Sequence, residues 1–281
     1  MPSAPPRKEL VRRHGVIVRV THWINVAALL VLLMSGLQIF NAHPALYWGQ
    51  ASHFSRPWIS MTAQDLGDRM VGVTKIGPVR FDSTGLFGWS GRAGHGEKRG
   101  FPAWATIPSY RSLADGRIWH FALAWVFVLN GLVYLSAAIL GGHLRNDLWP
   151  RLAELKPGHL WREIVEHARL RFPKGEEARR YNILQKLAYL AVILVFLPLM
   201  VGTGLTMSPG MDAGLPWLVE LFGGRQSART IHFLSASAIV AFVAVHLAMV
   251  VASGTWNNIR SMITGRYAIE VEPPKAEEAA Q

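Results

Sequence analysis

Cysteine does not occur in this 281-residue sequence. Its absence excludes disulfides, cysteine-ligated iron–sulfur clusters and covalently attached c-type haem, and it leaves histidine and oxygen as the ligands for any metal. Ionised side chains are equally absent from four long apolar stretches, roughly Val20–Phe40, Ile118–Leu140, Leu187–Leu205 and Ile231–Val251. Each is about long enough to cross a ~30 Å hydrocarbon core, and length together with lack of charge separates them from buried helices of a soluble domain. The first follows basic residues, as a signal peptide would. Its apolar run is longer than an h-region, however, and Asn41-Ala42-His43-Pro44 is a poor cleavage site, so it reads as a span.

Acidic residues are also scarce, 18 against 29 Lys and Arg, for a net charge of +11. Such an excess invites a nucleic-acid reading, but its distribution argues against one. Arg7, Lys8, Arg12, Arg13 and Arg19 precede the first span. Ten more, from Arg145 to Lys186, lie between spans two and three, and Arg260, Arg266 and Lys275 follow span four. In a four-span topology these regions share one side, as the positive-inside rule expects. Both termini are then cytoplasmic and the basic excess is a topology signal.

The expected fold is an all-α integral membrane protein. It is a four-transmembrane-helix bundle with a long outer loop and a basic cytoplasmic interfacial segment, forming one domain over residues 1–270 with a disordered tail over 271–281. Met1–Pro6 is expected to be disordered as well. The outer connection from Asn41 to Gly116 is rich in Gly, Pro and aromatic residues, which suggests a partly ordered cap with short interfacial helices at Pro44–Ala51 and Ser60–Met70. The inner connection His143–Lys186 is amphipathic and fits one or two helices lying on the membrane surface. Pro216–Phe222 is a further short interfacial helix, and span three reads as a packing helix broken by Pro209.

Histidine is where the apolar stretches depart from hydrocarbon. His22 lies in span one, His120 in span two, and His232 and His246 in span four. Fourteen helical residues turn through about 1400° and rise about 21 Å, so His232 and His246 face the same way at two depths. Span one starts inside and span four ends inside, which matches His22 with His246. His120, at the outer start of span two, matches His232. Buried ionisable groups in a membrane are costly and functional. Four histidines at two matched depths point to two non-covalent b-type haems, an inner iron on His22 and His246 and an outer iron on His120 and His232. No carboxylate or cysteine joins them as zinc would ask, and the close His-x-x-x-His clusters of a di-iron oxidase are missing.

Three of these histidines follow an arginine by three residues: Arg19 before His22, Arg117 before His120, Arg229 before His232. A guanidinium one turn nearer the membrane surface can pair with a haem propionate; it can equally be an interfacial anchor. Gly36 is fourteen residues after His22 and Gly131 eleven after His120, so each returns to its ligand's face at the level of the other haem. A glycine there lets a porphyrin pass closely, or simply lets helices pack. The other histidines receive no role, although His43, His53 and His95 could lie at an outer docking surface.

The pattern resembles the bacterial cytochrome b561 / nickel-hydrogenase b-subunit superfamily, which includes formate dehydrogenase gamma subunits. There, spans one and two give one histidine each and span four gives two about fourteen apart. More narrowly, His22-Trp23-Ile24-Asn25, Ser35-Gly36-Leu37-Gln38-Ile39-Phe40-Asn41-Ala42-His43-Pro44 and Phe101-Pro102-Ala103-Trp104-Ala105-Thr106-Ile107-Pro108-Ser109-Tyr110 are similar to the group named thiosulfate reductase cytochrome b subunits. The resemblance covers about Val11–Tyr267. It implies a bacterial inner-membrane anchor that exchanges electrons between the quinone pool and a partner, often an extracytoplasmic molybdopterin oxidoreductase. Asn25, one turn from His22, is a candidate for the quinone site. Two alternatives stand beside this one: a self-sufficient transmembrane reductase of a small oxidant such as superoxide, and a haem-free transporter or scaffold.

Overall fold

A computed structural model describes residues 7–92, 95–169 and 181–271 of the chain. Nine helices are present among them: α1 (Val16–Phe40), α2 (Leu113–Leu140), α3 (Pro157–Ala168), α4 (Ile183–Ala191), α5 (Leu197–Met207), α6 (Pro209–Gly214), α7 (Pro216–Leu221), α8 (Arg225–Ala252) and α9 (Thr255–Thr264). Four helical stretches are long and apolar enough to cross a membrane: α1, α2, α8, and α4 with α5, which a π-helical turn at Val192–Phe196 joins into Ile183–Met207. Large apolar side chains stand exposed along them, Leu30 at 58%, Trp125 at 69% and Val245 at 62%. In water such surfaces would be a liability; a helix satisfies its own backbone in lipid, where they are at home.

The helices outrun the apolar stretches by two to six residues at several ends, because an amphipathic first turn continues the hydrogen-bond ladder where the hydropathy signal stops. A helix is present at each of two expected places, α7 over Pro216–Leu221 and α3 within His143–Lys186, the latter with Pro157 at its first position. Asn182 caps α4 by accepting from the Gln185 amide, and the Gln185 side chain reaches back. Span three ends at Met207 and α6 begins at Pro209, as that proline required.

Two expectations fail. The chain is not all-α. Among the described residues it carries strands β1 (Arg7–Arg12), β2 (Ala45–Leu46), β3 (Ile59–Asp65), β4 (Met70–Ile76), β5 (Val79–Asp82), β6 (Gly88–Arg92), β7 (His95–Arg99) and β8 (Arg266–Val271). The outer connection therefore holds β-structure where interfacial helices were expected at Pro44–Ala51 and Ser60–Met70. Its β-branched residues alternate with polar ones, as in Val71-Gly-Val-Thr-Lys-Ile, and Gly77-Pro78 closes the β4–β5 hairpin with Ile76 opposite Val79. Period-two patterning with a turn dipeptide is a hairpin signal. The expected disordered ends, Met1–Pro6 and 271–281, lie outside the described residues except Val271, which completes β8.

The chain divides into two compact units. The terminal unit comprises Met1–Trp23, Leu132–Val195 and Ile239–Gln281. In it β1 and β8 pair antiparallel, Arg7 opposite Val271 and Arg12 opposite Arg266. Arg13 lies over the Tyr267 ring at 4.4 Å, and the Lys186 ammonium donates to both Glu154 oxygens at 2.8 and 2.9 Å.

The loop unit comprises Ile24–Gly131 and Phe196–Ala238. Its sheets run in the order β2-β3-β4-β5 and β6-β7, and its core gathers Phe40, Leu46, Ile59 and Met61 against Trp58, Phe87, Phe101 and Phe233. Gly88 is required there: its φ is +79°, and a Cβ would stand 2.3 Å from the Thr62 carbonyl oxygen. Left-handed strain and overpacking each cost about 1–3 kcal/mol. The Gly88→Ala variant should therefore lose roughly 3 kcal/mol or more, seen as an earlier thermal transition in tryptophan fluorescence. An unchanged transition would show that the β6 backbone gives way freely.

Candidate metal centres

The four span histidines meet in two pairs. In the terminal unit the rings of His22 (α1) and His246 (α8) lie with centroids 6.4 Å apart and planes at 66°. In the loop unit His120 (α2) and His232 (α8) lie at 6.3 Å and 62°. These are the pairs matched by depth in the sequence. Two imidazoles on one iron each stand ~2.0–2.1 Å from it through nitrogen with the ring centre ~1.1 Å beyond, so their centroids are ~6.3 Å apart. Both pairs are spaced to admit a metal between the rings. Among the described residues no group of three or more His, Cys, Asp or Glu side chains is placed to hold a metal ion. Two protein donors alone leave a metal's shell unfilled, which suits a macrocycle supplying the other four ligands and suits a bare structural ion poorly.

The His120 and His232 rings are oriented by neighbours the sequence reading passed over. The Ser35 hydroxyl donates back to the Val31 carbonyl at 2.6 Å. Having one proton, it meets His120 Nδ1 at 3.1 Å as an acceptor, and the Leu32 carbonyl accepts from the same Nδ1 at 3.1 Å. Thr203 repeats the device from α5: its hydroxyl donates to the Leu199 carbonyl and accepts from His232 Nδ1 at 3.0 Å. Both rings thereby carry the proton on Nδ1 and keep Nε2 as a free lone pair, the state a metal ligand needs.

Span three, read as packing alone, supplies Thr203, and Gly204 with it. The signal that could have found them is a polar residue between glycines in an otherwise apolar span, Gly202-Thr203-Gly204. Among the described residues no hydrogen bond reaches a ring nitrogen of His22 or His246. Trp23 meets His22 edge-on at 5.5 Å, and Phe242 stacks on His246 at 6.0 Å.

The glycines divide. A Cβ on Gly36 would lie 3.3 Å from His120 Cε1, a tight approach that glycine relieves, whereas one on Gly204 would lie 3.6 Å from His232 Cε1, an ordinary contact. Gly131 faces open space, with nothing within 4 Å of its missing Cβ. Close helix packing is therefore not the reason for glycine there.

The arginines divide too. Arg229 donates to the His43 carbonyl at 2.5 Å and lies over Phe40, while Arg117 lies over the Phe121 ring at 5.5 Å. Arg19 donates to the Ile263 carbonyl, but its Nε is buried without a partner, as are those of Arg13 and Arg260. Buried donors need acceptors. Three orphaned guanidinium nitrogens in the unit that holds His22 and His246 fit a bound carboxylate-bearing group. Burial, then Arg13, holds His14 down at about 4, so it adds no charge at neutral pH. Near the outer pair, burial and then Arg229 lower His43, whose Nε2 lies 3.0 Å from the Tyr47 hydroxyl.

Partners of ligating imidazoles are worth about 10–100-fold in metal affinity. If the His120–His232 couple holds a b-type haem, a Ser35→Ala, Thr203→Val double variant should release it to excess apomyoglobin about that much more readily than the parent. Equal transfer from variant and parent would remove Ser35 and Thr203 from this role.

The family described as prokaryotic cytochrome b561 matches residues 13–265. A curated relative from Azospira oryzae, named as a subunit, YedZ1, of a protein-methionine-sulfoxide reductase, is 29% identical over 243 residues, which is 86% of this chain and 92% of that protein. No solved structure matches the chain.

Proposed function

The chain belongs to the prokaryotic cytochrome b561 family, a multi-pass membrane cytochrome of b type, and we propose that it is the di-haem subunit that carries electrons between the quinone pool and an extracytoplasmic oxidoreductase. The observation that carries this reading is the pair of histidine couples, 6.3 and 6.4 Å between ring centres. When bound, haem supplies reversible one-electron iron chemistry. The protein's part is to bind and tune. His22 and His246 take one iron, His120 and His232 the other. Ser35 and Thr203 fix the outer tautomers. Arg19, with Arg13 and Arg260, offers unpaired donors to propionates, and Gly131 leaves room along α2.

With the basic connections inside, both termini are cytoplasmic, the His22–His246 couple is the inner centre, and the β-rich connection faces the extracytoplasmic partner. A relative named as a reductase subunit favours a dedicated partner over a stand-alone reductase of a small oxidant. The molybdopterin nature of that partner rests on the resemblance to thiosulfate reductase and formate dehydrogenase subunits.

The test is a dithionite-reduced minus oxidised spectrum of the purified chain with pyridine-haemochrome quantification. About two b-type haems per chain are expected. One would leave a histidine couple structural, and none would return the reading to a transporter or scaffold.

A further inference from the structure

Strand β5 ends the sheet of order β2-β3-β4-β5, and among the described residues no strand pairs with its far edge. On its near side the Ser83 amide donates to the Gly72 carbonyl at 2.8 Å. Hydrogen bonding alternates along an antiparallel pair. Val79 and Phe81 therefore turn their amides and carbonyls toward β4, and Arg80 and Asp82 turn theirs outward. Such an edge is a template for another strand.

The apolar face of the sheet is unfinished at β5. Ile59, Ile76 and Val79 stand in one row across β3, β4 and β5, and their exposure climbs from 7% to 45% to 60%. In the next row Met61 is buried and Phe81 exposed. The opposite face is unbalanced in charge. Ser60, Lys75 and Arg80 form a row there, and with Phe54 and Pro57 they line a groove of about 210 Å³. Among the described residues neither the Lys75 nor the Arg80 side chain has a hydrogen-bond or ion-pair partner. Like charges directly opposite each other destabilise a sheet. Asp82, two residues after Arg80, accepts from the Thr84 amide and hydroxyl at 2.8 and 2.6 Å, both through Oδ1, so Oδ2 is unspent.

A charge on a short edge strand ordinarily guards against pairing. This strand, however, is complementary to itself. Turned antiparallel about Phe81, a second β5 sets its Asp82 opposite Arg80 and its Arg80 opposite Asp82. We propose that the β5 edge is a homodimer interface, at which a second copy of this chain continues the sheet in that register. The outward groups of Arg80 and Asp82 then form hydrogen-bonded pairs, and Phe81 forms the non-hydrogen-bonded pair on the two-fold axis. Directly opposite residues share a face. Each Arg80 guanidinium thus gains a carboxylate, which offsets its repulsion from Lys75, and the two Phe81 rings cover each other on the apolar face. The contact is short, so it belongs to copies crowded in a membrane and not to dilute detergent. The inference concerns assembly and goes beyond the electron-transfer reading.

The chain has no cysteine, so an introduced thiol reports alone. The experiment oxidises the full chain in its membranes with copper phenanthroline and reads disulfide-linked dimer on a non-reducing gel. Phe81→Cys is expected to link most of the chain, since a non-hydrogen-bonded pair holds its Cα atoms ~4.5 Å apart, within disulfide reach. Val79→Cys should link at least about tenfold less, because its two copies stand more than ~13 Å apart. Co-expressed Val79→Cys and Ser83→Cys chains, which keep Phe81, should link to each other. Adding Arg80→Asp to Phe81→Cys should cut the yield about tenfold. Adding Asp82→Arg as well should restore it, a rescue that a merely damaged fold would not show. Equal yields from Phe81→Cys and Val79→Cys report chance collision and overturn the interface. So does the absence of a link in both the Phe81→Cys and the co-expressed arrangement, or a charge swap that restores nothing. A disulfide to a different protein gives the edge to another partner and overturns self-pairing.

Discussion

Replacing His232 by alanine should lower the haem content from about two per chain to about one, and His120→Ala should leave the same residual spectrum. On the proposed pairing the two substitutions act on one iron, so their combination should be no worse than either alone, a non-additivity that marks a shared partner. His22→Ala and His246→Ala should form a second such set with a different residual spectrum. The size of the effect follows from the proposed pairing: a haem iron left with one imidazole of two would lose most of its hold on the chain. A His95→Ala control, in β7, should keep both haems. If His120→Ala and His246→Ala proved the non-additive combination, the couples would be wrong, whatever the haem count.

The second large effect is expected at Arg99, in β7. Arg99 is 3% exposed, and its guanidinium donates to the Phe101 carbonyl at 2.7 Å, to Glu97 and the Ser109 carbonyl at 3.1 Å, to Thr106 Oγ1 at 2.9 Å and to Gln38 Oε1 at 3.3 Å. Asn41 completes the lock by exchanging both hydrogen bonds with the Phe101 backbone, at 2.6 and 3.1 Å. Gln38, in the last turn of α1, and Asn41, just past its end, lie two to six residues beyond Ser35 and Gly36, the neighbours of His120. Arg99→Ala strands several buried acceptors at about 1–3 kcal/mol apiece, so the loss should be roughly 4 kcal/mol or more. Arg99→Lys should recover only part, because an ammonium cannot reproduce the planar fork. Thermal unfolding and protease sensitivity of the β3–β7 region read both variants. A wild-type transition in Arg99→Ala would show that the lock contributes nothing.

That lock explains part of what the sequence disclosed. The phrases Ser35–Pro44 and Phe101–Tyr110, which carried the narrower resemblance, are the two faces of one hydrogen-bonded contact. The spans were legible because lipid imposes an unbroken apolar run, and the histidine couples because helical geometry converts spacing into depth. The strands of the outer connection were not, although they pair with sequence neighbours, β3 with β4, β4 with β5 and β6 with β7: each is at most seven residues long, too short for its alternation to stand out among the loop's Gly, Pro and aromatic residues. Ser35 and Thr203 escaped for another reason. A hydroxyl in a span satisfies itself on the carbonyl one turn back, and nothing in the sequence says whether its lone pair meets a histidine. The orphaned nitrogens of Arg13, Arg19 and Arg260 are invisible until burial is known.

The pairing of β1 with β8 decides a matter of parity. Strands whose amides and carbonyls are joined, Arg7 to Val271, cannot be parted by a bilayer, so the chain between them crosses an even number of times. That the two paired ends share a side then needs no argument from charge, and an even number agrees with the four candidate spans. A membrane-impermeant reagent added to sealed vesicles of uniform orientation should reach labels placed at both ends of the chain, or at neither.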